Sequence, residues 1–421
     1  MSELLYSQQR ISVIKNTGVL AAASIISSII GVVAGLFQAR FVPPVDLGLF
    51  KTFGIATTYL SLLHLGLFDA LQRELPFLLA YGDKAEAQRR AGVGLAWIRI
   101  AGAIAGACFL GLALWGASSG NWAAFAGWLT QIPIIIFVLY GGFLATLYRT
   151  GQDFKRLSYA NISGSIAGLL LLPIILLMPY LGLCIKTAGA TSVNTVFLHR
   201  FRPLKLAPQF NRQTLRDMLR IGTPLFIGGY IGSSLWLATE AALALGLYGR
   251  RALGLLAVAI MLREAVAVLA TSLNQVYMPQ LAAEYGRTNS CRACLRIAFR
   301  PCATSFLINS ILAVIGIVLL KRAVSFLTPM YMEAVPAMVF ALLIAPVKAL
   351  ELPLYIFKAA GNAKGYIIMI MSGFVAFLFM VLVFKHFGAG FQSIALSFLV
   401  GKIVSVLVGF LFLGRLYSSG P

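Results

Sequence analysis

The chain has 421 residues, of which 60% are hydrophobic and only 11% are charged. Soluble domains usually carry about 25% charged residues, so a chain this apolar cannot cover a surface that faces water. We therefore expect an all-α, polytopic membrane protein. The formal net charge of +21 does not indicate a nucleic-acid partner, because the basic residues lie between the apolar runs rather than in one patch.

The apolar runs predict twelve transmembrane helices, each long enough for a hydrocarbon layer of about 30 Å. The first run follows a mixed polar segment and is too long for the core of a removable signal peptide, so we expect it to remain as a helix. The predicted spans are 16–39, 50–71, 91–116, 124–148, 158–178, 181–199, 221–246, 253–277, 297–320, 334–357, 366–385 and 391–414.

The distribution of Lys and Arg predicts the orientation of these spans. If the N-terminus is inside, the inner segments hold 22 Lys and Arg residues and the outer loops hold 7. Positive residues concentrate on the cytosolic side of membrane proteins. We therefore expect both termini to lie in the cytosol.

Short sequence motifs repeat between the two halves of the chain. LGLF at 47–50 recurs as LGLL at 253–256, and PFLLAYG at 76–82 resembles PQLAAEYG at 279–286. Six spans separate the copies, and an even number keeps both in the same orientation. We therefore expect two six-helix bundles related by a pseudo-two-fold axis along the membrane normal.

The boundary between these bundles is predicted in the longest cytosolic linker, 200–220. This places an N-terminal lobe at 1–200 and a C-terminal lobe at 201–421. The second half of the linker, 211–220, has the pattern of a short amphipathic helix at the membrane interface.

Charged residues inside the predicted spans are the main functional signal. Each intramembrane cation costs about 2.5–3.5 kcal/mol on insertion scales, so such residues face water, a partner charge or a ligand. The cations outnumber the three anions of spans 7, 8 and 10 by two, which favours a negatively charged passenger. The cations are Arg99, Lys186, Arg263, Lys348 and Lys402, and the anions are Glu240, Glu264 and Glu351, with Asp69 near the inner end of span 2.

Ion pairing within the protein is the alternative for these charges. Lys348 and Glu351 share a predicted helix face, and Glu240 on a neighbouring span can reach Arg263. Arg263 and Glu264 are adjacent and are expected to point about 100° apart.

The roles of three other residues stay open. Lys186 lies near the outer edge of its span, where its side chain can extend to the interface. His64 is either a packing residue or a proton relay, and Asp69, like Glu240, is a candidate for ion coupling.

No cofactor or metal site is expected. The five cysteines are scattered apart from one CxxC at Cys291 and Cys294, and no second pair or histidine lies nearby. Zinc sites need such a second set of ligands. The chain also lacks a P-loop, which argues against direct ATP hydrolysis.

The run LGLF at 47–50, followed by LGLFDALQRELP at 65–76 and YGD at 81–83, resembles the Wzx-type polysaccharide or O-antigen flippases. These belong to the multidrug/oligosaccharidyl-lipid/polysaccharide (MOP) exporter superfamily. The resemblance is specific over 40–90 and extends along the chain in length and span number. It implies two helix bundles around a cationic central cavity and transport by alternating access.

The resemblance also implies the cargo and the location. The cargo would be an oligosaccharide linked to undecaprenyl diphosphate, carried from the cytosolic to the outer leaflet of a bacterial inner membrane. Membrane lipids and polysaccharide assembly proteins are the expected partners.

Three other functions are alternatives to this one. A lipid II-type flippase of the superfamily usually has fourteen spans, and an ion-coupled multidrug exporter has a cavity that favours cationic drugs. A membrane enzyme such as a polysaccharide polymerase would need a long outer loop, whereas no predicted outer loop is longer than 321–333. We therefore expect a transporter rather than an enzyme.

Overall fold

The computed structural model describes residues 26–151, 153–204, 206–230 and 234–418. Its regular structure is helical throughout this part of the chain, which confirms an all-α protein. The helices are α1 (Ile26–Phe41), α2 (Pro44–Leu60), α3 (Leu67–Ala80), α4 (Lys84–Ser118), α5 (Trp122–Thr150), α6 (Phe154–Leu170), α7 (Ile174–Leu177), α8 (Pro179–Arg200), α9 (Arg212–Tyr230), α10 (Trp236–Thr288), α11 (Cys291–Leu327), α12 (Val335–Ala349), α13 (Ile356–Ala359), α14 (Ala363–His386) and α15 (Gln392–Ser418).

Many of these helices are long and apolar enough to cross a membrane. Among the described residues, eight helices have the length and composition of a membrane span. The number of candidate spans is nine if the bent pair Pro44–His64 and Leu67–Leu79 forms one span. The chain is thus a multi-pass membrane protein, while the count of twelve spans and the orientation stay predictions. The first ten residues of the predicted first span, 16–25, lie outside the described residues.

The predicted second span, 50–71, is not one continuous helix. α2 continues into a 3-10 turn, Ser61–His64, and the chain then breaks at Leu65 and Gly66 before α3 begins. Leu65 has φ 50° and Gly66 has φ 87°. Glycine adopts this left-handed backbone without the steric cost of a Cβ atom. The apolar run alone hid the break, because both residues fit an apolar pattern.

The predicted seventh span, 221–246, covers the end of α9 and the start of α10, and residues 231–233 between them lie outside the described residues. α9 ends at Tyr230 and α10 begins at Trp236. The predicted interfacial helix at 211–220 is the first part of α9, which continues because apolar residues follow Arg220. Asn211 caps α9, since its Oδ1 accepts the Thr214 N–H at 2.9 Å.

The described chain divides into two compact units. Unit 1 contains the described residues up to Ala34 together with Phe53–Tyr230, and unit 2 contains Gly35–Thr52 and the described residues after Tyr230. In unit 1, α4 packs on α5, α6 on α8, and α3 on α9. In unit 2, α14 packs on α15, and α12 packs on α10, α11 and α15.

Each unit has its own buried core. Phe109, Phe143 and Tyr148 are fully buried in unit 1, and Phe357 and Leu281 are fully buried in unit 2. Lipid tails are as apolar as these side chains, so close van der Waals packing rather than escape from water holds such helices together.

Candidate functional site

A cavity of about 690 Å³ lies in unit 1, between α1, α5, α6 and α8. Apolar residues and glycines form much of its wall, and we call it the polar cavity after the polar side chains among them. This volume is within the range of small-molecule sites, about 300–1,000 Å³. Its polar lining comes from Ser27, Asn161, Ser165, Lys186, Thr191, Asn194 and Thr195.

The helical spacing of the polar residues explains how they converge. Asn161 and Ser165 are four residues apart on α6, and Thr191 and Thr195 are four apart on α8, so each pair shares a helix face. Asn194 Nδ2 donates to Asn161 Oδ1 at 3.2 Å and links the two helices. An amide side chain has more donors and acceptors than this one bond uses. The cavity therefore offers amide and hydroxyl groups to a ligand.

The ionisable lining of this cavity is cationic. Among the described residues that form its wall, Lys186 is the charged one and none is Asp or Glu. A lysine ammonium attracts phosphate or carboxylate oxygens and repels an organic cation. The structure thus places Lys186 on a cavity wall, where the sequence left open whether its side chain reaches toward the interface.

A second set of predicted residues forms a buried ion-pair network in unit 2. Arg263 on α10 donates through Nη1 and Nη2 to the two carboxylate oxygens of Glu240, at 2.9 and 2.7 Å. The side chains of Arg263 and Glu240 are 4% and 0% exposed. The Arg263 guanidinium also lies 3.8 Å from the Phe398 ring centroid. Its cationic charge is therefore already bound by protein groups.

Lys402 on α15 and Glu351 form the second pair of this network. Lys402 Nζ lies 3.1 Å from Glu351 Oε1, and both side chains are 17% exposed. The ammonium also lies 4.8 Å from the ring centroid of Trp236. Trp236 is buried and packs its ring against Phe398 at 5.2 Å. One aromatic cluster thus holds the cations of both pairs.

Two expectations are wrong: that Arg263 and Glu264 point apart, and that Lys348 pairs with Glu351. Arg263 and Glu264 do approach each other, with Nε 3.5 Å from Glu264 Oε1, because the long arginine side chain bends along the helix. Glu351 does not share a helix with Lys348, since α12 ends at Ala349 and Glu351 pairs with Lys402 instead. The expected pair of Glu240 with Arg263 is present.

Among the described residues, Lys348 is the cation of this group without a close partner. It makes no hydrogen bond or ion pair with any residue in the described parts of the chain, although Glu264 and Glu351 lie near enough to act on its charge. Three cations and three carboxylates make the whole network neutral. The surplus of positive charge therefore resides outside it, on Arg99 and Lys186 of unit 1.

The remaining candidates lie elsewhere in unit 1. Arg99 is exposed on α4, and Asp69 is half-buried in the first turn of α3. His64 stacks on Phe68 at a centroid distance of 4.3 Å, and its Nδ1 accepts the Gly66 N–H at 3.2 Å. The structure brings none of these three into the polar cavity or the buried network. Among the described residues, no group of three or more His, Cys, Asp or Glu is placed to hold a metal ion.

Sequence reasoning found Lys186 but missed Trp236 and the uncharged polar residues of the polar cavity. The available signal was the polar pattern inside spans 5 and 6, where Asn161 with Ser165, and Thr191 with Asn194 and Thr195, recur at helical spacing. An uncharged polar side chain can form its hydrogen bonds within its own helix, so its presence in an apolar span does not by itself indicate a binding site.

Comparison with known protein families gives one match. The model of a family described as polysaccharide biosynthesis protein matches residues 143–304. This stretch includes α6 and α8, which carry most of the polar cavity lining. No curated protein matches the sequence significantly.

Solved structures show the fold along nearly the whole chain. A multidrug resistance MATE family transporter of the MOP superfamily, in an inward-facing conformation, has a TM-score of 0.78 at 16% identity, over 96% of this chain and 100% of that chain. Its outward-facing conformation has a TM-score of 0.69 at 16% identity, over 97% of each chain.

A third solved structure is a MOP superfamily transporter from Pyrococcus furiosus, for which reverse polarity of the binding pocket suggests a different function. It has a TM-score of 0.70 at 16% identity, over 96% of each chain. These likenesses show the fold that the resemblance noted from the sequence implies. The chain has the fold of these MOP superfamily transporters and matches a polysaccharide biosynthesis protein family over residues 143–304.

Proposed function

We propose that this protein is a flippase for an oligosaccharide linked to undecaprenyl diphosphate, a precursor of O-antigen or another surface polysaccharide. It acts by alternating access in a bacterial cytoplasmic membrane, with twelve spans, both termini in the cytosol and polysaccharide assembly proteins nearby. The observation that carries the proposal is the polar cavity of unit 1, which lies largely in the stretch that matches the polysaccharide biosynthesis family.

The chemistry of the polar cavity suits a sugar with attached phosphates. Sugar hydroxyls both donate and accept hydrogen bonds, as do the amides of Asn161 and Asn194 and the hydroxyls of Thr191 and Thr195. Lys186 supplies a positive charge for a phosphate or an acidic sugar. Polar groups inside membrane-spanning helices are energetically unfavourable, so their presence favours a role in binding.

Within unit 2, Lys348 is a separate candidate contact for a phosphate. It is a half-buried cation without a close partner among the described residues. Arg263 and Lys402 are held by carboxylates, so we assign them to positioning the network around Lys348 rather than to direct binding in this conformation.

An ion-coupled multidrug exporter is the second candidate, and the buried carboxylates of unit 2 favour it. Glu240, Glu264 and Glu351 are the groups that a coupling cation would seek. Arg263 occupies both oxygens of Glu240, however, and the polar cavity wall has no carboxylate among its described residues. Charge therefore favours the anionic cargo. A lipid II-type cargo has the same diphosphate chemistry and stays a further alternative.

Direct binding to the purified full-length protein tests the proposal. Lys186→Gln and Lys186→Glu are compared with Lys155→Gln, a matched control on an exposed lysine outside the polar cavity. We expect lipid-linked oligosaccharide to bind wild type and the control, more weakly to Lys186→Gln and least to Lys186→Glu. Strong binding of an organic cation by wild type, with no binding of the glycolipid, would favour the drug exporter.

A further inference from the structure

A smaller pocket in unit 1 lies at the junction of α3, α4 and α9. Its volume is about 310 Å³, and it shares no lining residue with the polar cavity. Three charged and three apolar side chains line it: Arg73, Glu74, Arg90, Phe77, Leu78 and Ile221. We refer to it as the junction pocket. The charge count places it on the cytosolic side of the membrane.

The carboxylate of Glu74 is only half satisfied in this pocket. Its Oε1 pairs with Arg90, which also binds Glu86 Oε1 at 2.8 Å. Its Oε2 is buried and has no hydrogen-bond partner among the described residues. Leaving a buried carboxylate oxygen without a donor is unfavourable. Because Glu74 lines the junction pocket, an N–H or ammonium donor that binds there would satisfy this oxygen.

Arg73 brings the opposite charge to the same pocket. It is exposed and forms no ion pair within the described parts of the chain. Its guanidinium is suited to bind a phosphate in a bidentate manner. Phe77, which lines the same pocket, is 62% exposed, so apolar surface accompanies the charged groups there. A cationic side chain, an unsatisfied carboxylate oxygen and an exposed apolar side chain thus belong to one pocket.

We propose that the junction pocket binds the headgroup of phosphatidylethanolamine from the surrounding bilayer. The phosphate would lie on Arg73, the primary ammonium would donate to Glu74 Oε2, and the acyl chains would leave along Phe77. A bare diphosphate fits less well because Glu74 repels it, and a choline headgroup lacks the N–H donors that Glu74 requires. The bound lipid would brace α3, α4 and α9 where they meet.

The test uses the full-length protein in detergent with four probes: dihexanoyl phosphatidylethanolamine, phosphatidylcholine, phosphatidylglycerol and soluble phosphoethanolamine. Binding is measured by native mass spectrometry and by the shift of the unfolding temperature. We expect one phosphatidylethanolamine per protein, bound on the order of tenfold more tightly than phosphatidylcholine, as the loss of one charged hydrogen bond implies.

Three variants separate the two charged contacts. Glu74→Gln keeps an acceptor for Arg90 and should lose the preference for ethanolamine over choline. Arg73→Gln changes an exposed side chain, so it should fold normally, and should weaken binding of all phospholipids. Arg156→Gln, which removes an exposed arginine paired with Asp153, is the matched control and should bind as wild type does.

Several results would overturn the proposal. They are equal binding of the ethanolamine and choline lipids by wild type, unchanged ethanolamine preference in Glu74→Gln, and unchanged binding in Arg73→Gln. Binding of soluble phosphoethanolamine as tight as that of the lipid would contradict a bilayer source. None of these readouts depends on the oligosaccharide cargo, so they are independent of the proposed transport function.

Discussion

Gly48 and Gly254, which occupy equivalent positions in the internal repeat, contact each other within unit 2. A Cβ atom built on either glycine would lie 3.0 Å from the backbone nitrogen of the other. It would also collide with a carbonyl four residues before the other glycine, that of Arg250 for Gly48 and that of Pro44 for Gly254. The repeat motif thus forms a reciprocal helix crossing in which both backbones touch. Small residues allow such close approach in membrane helices.

Adding a methyl group at this crossing should destabilise the protein. Gly48→Ala and Gly254→Ala are each expected to cost about 1–3 kcal/mol or more, because the obstructing atoms are backbone and cannot rotate away. Gly54→Ala, on the same helix as Gly48 and with no atom within 4 Å of its built Cβ, is the matched control. Unfolding temperature in detergent measures the difference. Equal stability of Gly48→Ala and Gly54→Ala would show that the crossing is not close-packed.

The buried pair Arg263–Glu240 should respond more to loss of one partner than to loss of both. Glu240→Leu alone leaves a guanidinium without its main partner and should cost about 3–5 kcal/mol. The double variant Glu240→Leu/Arg263→Met should regain much of that stability, because apolar replacement of a buried pair is often neutral. A double-mutant cycle on the unfolding temperature gives the coupling.

An exposed pair provides the control for that cycle. Arg251 and Glu333 are 2.6 Å apart, and their side chains are 61% and 59% exposed. Arg251→Gln should change stability by about 0–1 kcal/mol, since solvent screens this pair. A similar loss for Arg251→Gln and Glu240→Leu would contradict the burial argument.

Neutralising Lys348 and neutralising Lys402 should have different effects on stability and on transport. Lys348→Gln removes a cation that has no close partner among the described residues, so stability should hold while transport falls. Lys402→Gln leaves Glu351 without its partner and should cost about 1–3 kcal/mol. Unfolding temperature and transport, measured on the same preparations, separate the two effects. Normal transport by a stable Lys348→Gln protein would show that Lys348 is not a phosphate contact.

The positions of most helices can be predicted from the lengths of the apolar runs, whereas the breaks within these runs cannot. Runs of about twenty apolar residues need a helix to satisfy their backbone in lipid. The break at Leu65 and Gly66 depends on backbone dihedral angles. Those angles leave no mark on hydropathy, so the predicted span 50–71 appeared continuous.

The candidate site was only partly accessible from sequence for a related reason. Charges within spans are rare, and this singled out Glu240 and Arg263 as possible partners. The pair of Lys402 with Glu351 joins residues 51 positions apart, which only tertiary packing reveals. Asn161 and Asn194 meet across two helices, and neither is unusual in its own helix.

Translocation of a fluorescent lipid-linked oligosaccharide in proteoliposomes is the measurement that tests the central claim most directly. We expect wild type and Lys155→Gln to move the glycolipid between leaflets, whereas Lys186→Glu and the cavity variant Asn194→Leu move it slowly although they insert normally. The opposite result, unimpaired movement by Lys186→Glu and Asn194→Leu, would contradict the assignment of the polar cavity to the cargo.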